Sequence, residues 1–367
     1  MLDLAWSIPD AIHLEIGEPD FAPPEHVLNA IQRAIAEGRG GYPPTAGLPE
    51  LRERLVEKLA RVNGITTTAD AVVVSNGGCQ GLFAVLSALL DEGDVVALPN
   101  PGWPNYRSMV GLLGAQVATY SLSAERGHVP DPAEIERVIA EGAKVVVLCN
   151  PSNPTGSVTP PEVVEELVEV ARSSDAWLLS DECYDELYFG DAPPLSPASI
   201  APDGPIVSVY SFSKSHAMTG WRIGYVAGPP SVAKLVEDAQ EPLVMGVNAP
   251  GQYGAIAALA DDDHVVQMRE AYRIRRDAVV GAFRERGYSP PTPEGAFYLW
   301  LDISDVAGSD EDFVLSLLRD QHVALTAGSS FGDGGAGYIR LSLAAGKAAL
   351  LTAVDRIDEQ IRSGGGR

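Results

Sequence analysis

Six short apolar runs mark the first two-thirds of the chain: Ala71–Ser75 (AVVVS), Asp94–Leu98 (DVVAL), Lys144–Cys149 (KVVVLC), Ala176–Ser180 (AWLLS), Ile206–Tyr210 (IVSVY) and Ile223–Ala227 (IGYVA). They are near-continuous in apolar residues. A strand with one wet face alternates polar and apolar residues, whereas a strand covered on both faces does not. Amphipathic stretches lie between the runs, among them Gln80–Leu90 and Pro161–Ser173, the latter opening on Pro-Pro-Glu as helix starts do. This alternation predicts an α/β domain on a mostly parallel sheet.

The last third has a different texture. A long helical pattern, Asp262–Arg286, precedes a Pro-rich turn (Ser289–Pro293) and a strand-like Ala296–Asp302. A helix around Asp310–Asp320 and strands near Val323–Thr326 and Tyr338–Leu343 follow, and Gly364–Gly366 reads as a tail. At 367 residues the chain has room for two domains. The expected division is a large domain over 25–260 and a smaller α+β domain from 1–24 with 261–367.

Composition closes several doors. A chain 46% hydrophobic and 21% charged is an ordinary globular one. Its formal charge of −24 repels a phosphate backbone, and the densest basic stretch, Arg273, Arg275 and Arg276, has the spacing of a solvated helix face. Nucleic acid is therefore not an expected partner. Nor is a membrane, since no apolar run approaches the roughly 18–20 residues a span needs. Residues 1–10 lack the basic-then-apolar pattern of a signal peptide. Cys79, Cys149 and Cys183 have neither CxxC spacing nor an even count, and the six histidines lack ligand spacing. A reducing, cytoplasmic setting and no metal site are expected.

In open α/β sheets ligands gather outside the carboxyl ends of the strands. Here those ends carry Asn76-Gly77-Gly78-Cys79-Gln80-Gly81 at a helix start, the loop Asn150–Gly156 (NPSNPTG), Asp181-Glu182-Cys183-Tyr184, and Ser211-Phe212-Ser213-Lys214 with Arg222 eight residues on. Each is ordinary alone: a glycine turn, an Asn-Pro turn, a helix-capping aspartate, a surface lysine. Their coincidence at four strand ends is not. Together they suit a cofactor with a phosphate, an aldehyde, a phenolic oxygen and a pyridine nitrogen. Free N–H groups at Gly77–Cys79, with Arg222 and Ser211, suit the phosphate. Asp181 suits the pyridine nitrogen, Asn153 and Tyr184 the phenolic oxygen, and Lys214 the aldehyde and then proton transfer. Trp103, in the loop PGWPNY, suits stacking on the ring. Gly332–Gly337 satisfies GxGxxG, but a strand-like YIRLSL follows where a dinucleotide site needs a helix, so it reads as a turn. His216 reads as a packing residue near Lys214.

The segment SFSKSHAMTGWRIGY (211–225) resembles the lysine region of the class I/II pyridoxal-phosphate aminotransferases, of fold type I. So do GEPDF (17–21), YPPTAGLPELRERL (42–55), NPSNPTG (150–156), SDECY (180–184), EGAFYLWLDIS (294–304) and YIRLSLA (338–344), in family order across nearly the whole chain. The resemblance implies a seven-stranded, mostly parallel sheet between helices, a smaller α+β domain, and pyridoxal 5′-phosphate as cofactor. By the same resemblance Lys214 matches the Schiff-base lysine, Asp181 the pyridine partner, and Asn153 and Tyr184 the residues on the phenolic oxygen. Trp103 matches the stacking aromatic, and Gly78, Cys79, Ser211, Ser213 and Arg222 the cofactor's remaining contacts. Tyr42 matches a tyrosine that reaches the neighbouring subunit's cofactor, which implies a homodimer. Gly17, Asn153 and Arg340 match the substrate contacts, with Arg340 on the α-carboxylate. The activity implied is amino transfer from an amino acid to a 2-oxo acid; a β-lyase, an amino-acid oxidase or a non-catalytic cofactor-binding regulator are the alternatives on this scaffold.

Two departures bear on substrate. GEPDF begins at residue 17, whereas relatives typically carry a longer segment before it. Residues 235–268 contain no Lys or Arg, and the position where some bacterial members carry a lysine is Cys79. A neutral substrate side chain is expected, with aspartate a poor donor. Glu15 and Glu18 leave a cationic substrate open. Arg39 or Arg107 would reverse the expectation by folding into the pocket.

Overall fold

The computed structural model describes residues 2–306 and 308–364. Gly365 and Gly366 of the expected tail lie outside the described residues. After a two-residue strand β1 (Ile12–His13), the strands β2 (Val72–Ser75), β3 (Val95–Asn100), β4 (Gln116–Ser121), β5 (Ala143–Cys149), β6 (Trp177–Asp181), β7 (Ile206–Ser211) and β8 (Gly224–Ala227) form one sheet in the order β2-β8-β7-β6-β5-β3-β4. The β3–β4, β3–β5, β5–β6 and β6–β7 pairs are parallel, while β8 runs antiparallel to both neighbours. The six apolar runs are six of these strands. The seventh, β4, is an edge strand with polar QVATYS sequence and partial exposure, so continuous apolarity could not reveal it.

Why the central strands are apolar throughout is visible in the packing. Val146 and Leu148 of β5 join one buried cluster, with Leu51, Leu55, Val164 and Leu167. Val145 and Val147, on the opposite face, join a second with Leu82, Val85, Val110 and Val236. Alternate residues thus enter different cores, and each fully buried Val or Leu contributes about 1.5–3 kcal/mol. A strand with polar residues on either face would lose one of them.

The remaining strands, β9 (Tyr298–Asp302), β10 (Val323–Ala324), β11 (Thr326–Ala327) and β12 (Tyr338–Ser342), belong to smaller sheets. β11-β12-β9 is antiparallel, and β10 pairs with β1. The single strand expected near Val323–Thr326 is split in two by buried Leu325, on either side of which the chain changes partner. A third core gathers Leu14, Met268, Phe283, Leu301, Leu317, Leu341 and Val354. The GxGxxG segment folds around one short 3-10 turn, Asp333–Gly335, that leads into β12, as a turn reading requires. Among the described residues no helix is long and apolar enough to cross a membrane.

Candidate active site

Strands β2, β5, β6 and β7 end at one edge of the large sheet, and antiparallel β8 begins there. Twelve of the thirteen expected site residues line a single cleft of about 280 Å³ at this edge; Tyr42 does not.

The anion-binding corner is built from the start of the helix Gly77–Leu89. Gly77 has φ +74°, and a Cβ on it would collide with the Arg222 guanidinium. A Cβ on Gly78 would meet Cys183 Sγ. Arg222 itself is left-handed at φ 56°, a conformation that costs about 1–2 kcal/mol for a residue with a side chain. Its Nη1 donates to the Thr219 carbonyl at 2.8 Å and to Ser213 Oγ at 3.5 Å, which holds the cation against the helix start. Ser211 Oγ accepts from the Ser213 N–H at 3.1 Å, leaving its own hydroxyl proton to donate. A helix N-terminus with an arginine beside it attracts an anion. Burial pushes the Cys79 thiol up, against the pull of Arg222, so at neutral pH it adds no negative charge there.

Asp181 closes the far end of the cleft. It is the last residue of β6, beside Cys149 of β5, and it is buried. The Tyr106 hydroxyl donates to Oδ2 and the Cys183 N–H to Oδ1 at 3.2 Å. Burial pushes the carboxyl above its ordinary range, because these hydrogen bonds only partly offset the lost hydration. A buried carboxylate served by neutral donors fits a cationic ring N–H brought by a ligand. Lys214, in the single turn after β7, donates from Nζ to the Gly17 carbonyl at 2.5 Å. A Cβ on Gly17 would strike the Tyr298 hydroxyl, so this close approach needs glycine.

The opposite wall is assembled from distant segments. Arg340 on β12 is buried; Nη1 donates to Asn153 Oδ1 at 2.9 Å and Nη2 to the Glu15 carbonyl at 2.6 Å. The Tyr298 ring lies 4.3 Å from its guanidinium carbon, and the Tyr184 and Tyr298 hydroxyls are 2.9 Å apart. Trp103 precedes the helix Pro104–Leu112 and meets Tyr106 edge-on at 5.3 Å.

Five lining residues, Leu82, Tyr106, Cys149, Cys183 and Tyr298, were absent from the expected set. Tyr106 follows Trp103 by three residues, the spacing that puts two side chains on one helix face, so its signal was present. Tyr298 had none, because the face its strand shows the cleft is set by pairing with Ser342. Tyr42 stands 86% exposed away from the cleft. Arg39 pairs with Glu37 at 2.7 Å and lies over Tyr253, and Arg107 lines a separate, smaller cavity, so neither enters this one. His216 is buried outside the cleft, where desolvation pushes it down to about 3.

The family description "Aminotransferase class I and II" matches residues 9–357. The chain belongs to that family. This aminotransferase is 38% identical over 351 residues to the aspartate/prephenate aminotransferase of Thermus thermophilus, covering 95% of this chain and 90% of that one. A solved structure of Thermus thermophilus aspartate aminotransferase with maleate superposes at TM-score 0.93 with 37% identity, covering 98% and 94% of the two chains. The alanine aminotransferase of Pyrococcus furiosus superposes at 0.92 with 33% identity, covering 99% and 96%. These likenesses favour amino transfer over the lyase and oxidase alternatives.

Proposed function

We propose that the enzyme holds pyridoxal 5′-phosphate in this cleft and uses it to move an amino group from an amino acid without a distal carboxylate to a 2-oxo acid. One observation carries the cofactor assignment: a lysine amine, a buried carboxylate lacking a cation, and an arginine against a helix start face the same cleft. When bound, the cofactor supplies an aldehyde carbon that takes up the amino group and a ring that accepts the electron pair left on the substrate Cα. The rest is done by the chain. Arg222 and the N–H groups at Gly78 and Cys79, with Ser211 and Ser213, hold the phosphate. Asp181 keeps a proton on the pyridine nitrogen, while Tyr106 and the Cys183 N–H orient Asp181. Tyr184 and Asn153 hold the phenolic oxygen, and Trp103 covers the ring. Lys214 carries the covalent attachment and then moves the proton at Cα. Arg340 grips the α-carboxylate, with Gly17 admitting the substrate beside it.

The names of the relatives point to aspartate in one case and alanine in another. The cations lining the cleft are Lys214, Arg222 and Arg340, and each already has a role above. A distal carboxylate buried here would lack a partner. The test uses loaded enzyme and one amino acid at a time. Stoichiometric 2-oxo acid, with the amino group retained on the enzyme until an acceptor is added, is expected; ammonia or peroxide would overturn amino transfer.

A core drawn mostly from 1–24 and 261–367, with Leu14, Met268, Phe283, Leu317 and Val354, favours those segments as a small domain beside a large one of 25–260. A homodimer is favoured by exposed Tyr42, Leu243 and Met245, which the Thr45 hydroxyl bond to the Met245 carbonyl brings together. Mixed Lys214→Ala and Tyr42→Phe subunits should then regain activity that neither shows alone. Three free thiols favour the cytoplasm.

A further inference from the structure

A second cavity of about 480 Å³ adjoins the cleft, and Trp103 and Arg340 line both. Its walls include Val314, Leu315, Leu325 and Phe331, apolar side chains that suit a hydrocarbon stem. One wall residue is out of character. The Glu15 side chain is only 3% exposed, yet Oε2 has no hydrogen-bond partner. His13 Nδ1 holds the other oxygen at 2.9 Å. The backbone of Glu15 is pinned as well, its carbonyl accepting from Arg340 Nη2 at 2.6 Å and from Thr326 Oγ1 at 3.1 Å. Glu15 therefore sits at a set place relative to the α-carboxylate anchor, and it is one of the residues that line the cavity. A buried carboxylate oxygen without a donor is costly, and nearly all such groups have partners. The missing donor is one that a ligand brings.

We propose that the substrate side chain enters this cavity on an apolar stem and delivers a cationic donor, an ammonium or guanidinium, to Glu15. This rests on the reading of the cleft as the site of amino transfer from a donor lacking a distal carboxylate. Charge points the same way. With the α-carboxylate on Arg340, the cavity retains Glu15 and the exposed Glu311 and no free cation among its lining residues. A distal carboxylate would be repelled, and a plain hydrocarbon would leave Oε2 unpaired.

Lysine and norleucine carry the same four-carbon chain with and without the terminal ammonium, so their comparison isolates the donor. Spectroscopic titration of the loaded enzyme gives Kd for each, and turnover with a fixed 2-oxo acid gives kcat/KM. Lysine or arginine should show a Kd at least tenfold lower and a kcat/KM at least tenfold higher than norleucine, a factor corresponding to about 1.4 kcal/mol. Glu15→Gln should cut that ratio at least tenfold. The ratio is read because Glu15 also supports Arg340. Glu15→Asp, which keeps the charge, should retain the order; equal loss in both variants overturns the proposal. Norleucine matching lysine and arginine, with aspartate poor, overturns it and leaves the broader reading standing. Aspartate ranking first overturns both.

Discussion

Lys214, Asp181 and Arg222 reach the cleft from the ends of neighbouring strands in one sheet, whereas Arg340, Tyr298 and Glu15 reach it from segments as far as 325 residues apart. The floor is thus a consequence of local order: a parallel sheet stacks its strand ends, and whatever residues follow those ends become neighbours. The wall depends on tertiary register. β11 opposes Thr326 to Arg340, β12 opposes Ser342 to Tyr298, and β1 brings Glu15 alongside through its pairing with β10. Chemistry that tolerates no rearrangement sits on the floor, and the residues we assign to substrate choice sit on the wall.

The largest effect tests the floor. Lys214→Ala should lower kcat by about two to four orders of magnitude, the range associated with a positioned general acid–base group. Borohydride treatment followed by intact mass should add the cofactor's mass to the wild-type chain and nothing to the variant. A variant that still gains that mass would place the covalent attachment elsewhere.

Next in size is a test of the wall. Arg340→Lys keeps the charge but loses the planar fork that grips a carboxylate with two parallel bonds. One charge-assisted hydrogen bond is worth about 1.5–3 kcal/mol, so kcat/KM should fall roughly ten- to hundredfold. The loss should be the same for lysine, norleucine and aspartate, because all share the α-carboxylate. Cofactor retention, read from visible absorbance after gel filtration, should be far less affected. A loss confined to one donor would move Arg340 from the α-carboxylate to the side-chain end.

This division also decides what could be read from the amino acids. Six of the seven strands of the large sheet are legible because burial on two faces forces continuous apolar runs, and the floor residues are legible because they follow those runs. Edge strand β4 is not, since half-exposed QVATYS needs no such run. Arg340 and Gly17 came from family resemblance, with no local rule marking them. Tyr298 and the free oxygen of Glu15 depend on which face of a strand meets which neighbour, and no window of sequence contains that. Tyr106 lay between, visible in principle by its helical spacing from Trp103.

The smallest effect on activity separates two adjacent carboxylates at the end of β6. Asp181 faces the cleft, while Glu182 does not line it and accepts a hydrogen bond from Ser196 Oγ at 2.9 Å. Burial pushes Glu182 up to about 7, from an ordinary value of 4.5. The folded chain therefore holds this proton more tightly than the unfolded chain does. The associated stability is complete below about 4.5 and is lost as pH climbs through about 7, at a limiting slope of about 1.4 kcal/mol per pH unit. Glu182→Gln should flatten that part of the profile, measured as the urea midpoint at pH 5, 6, 7 and 8, with kcat changed less than about threefold, as expected of a side chain outside the reacting groups. Glu186, also pushed up to about 7 by burial, keeps its share of the slope in the variant. An unaltered slope would mean that Glu182 stays ionised in the folded chain with a cation at its side. A large loss of kcat would mean that the contrast with Asp181 is one of degree, and that the floor extends one residue further than the strand end implies.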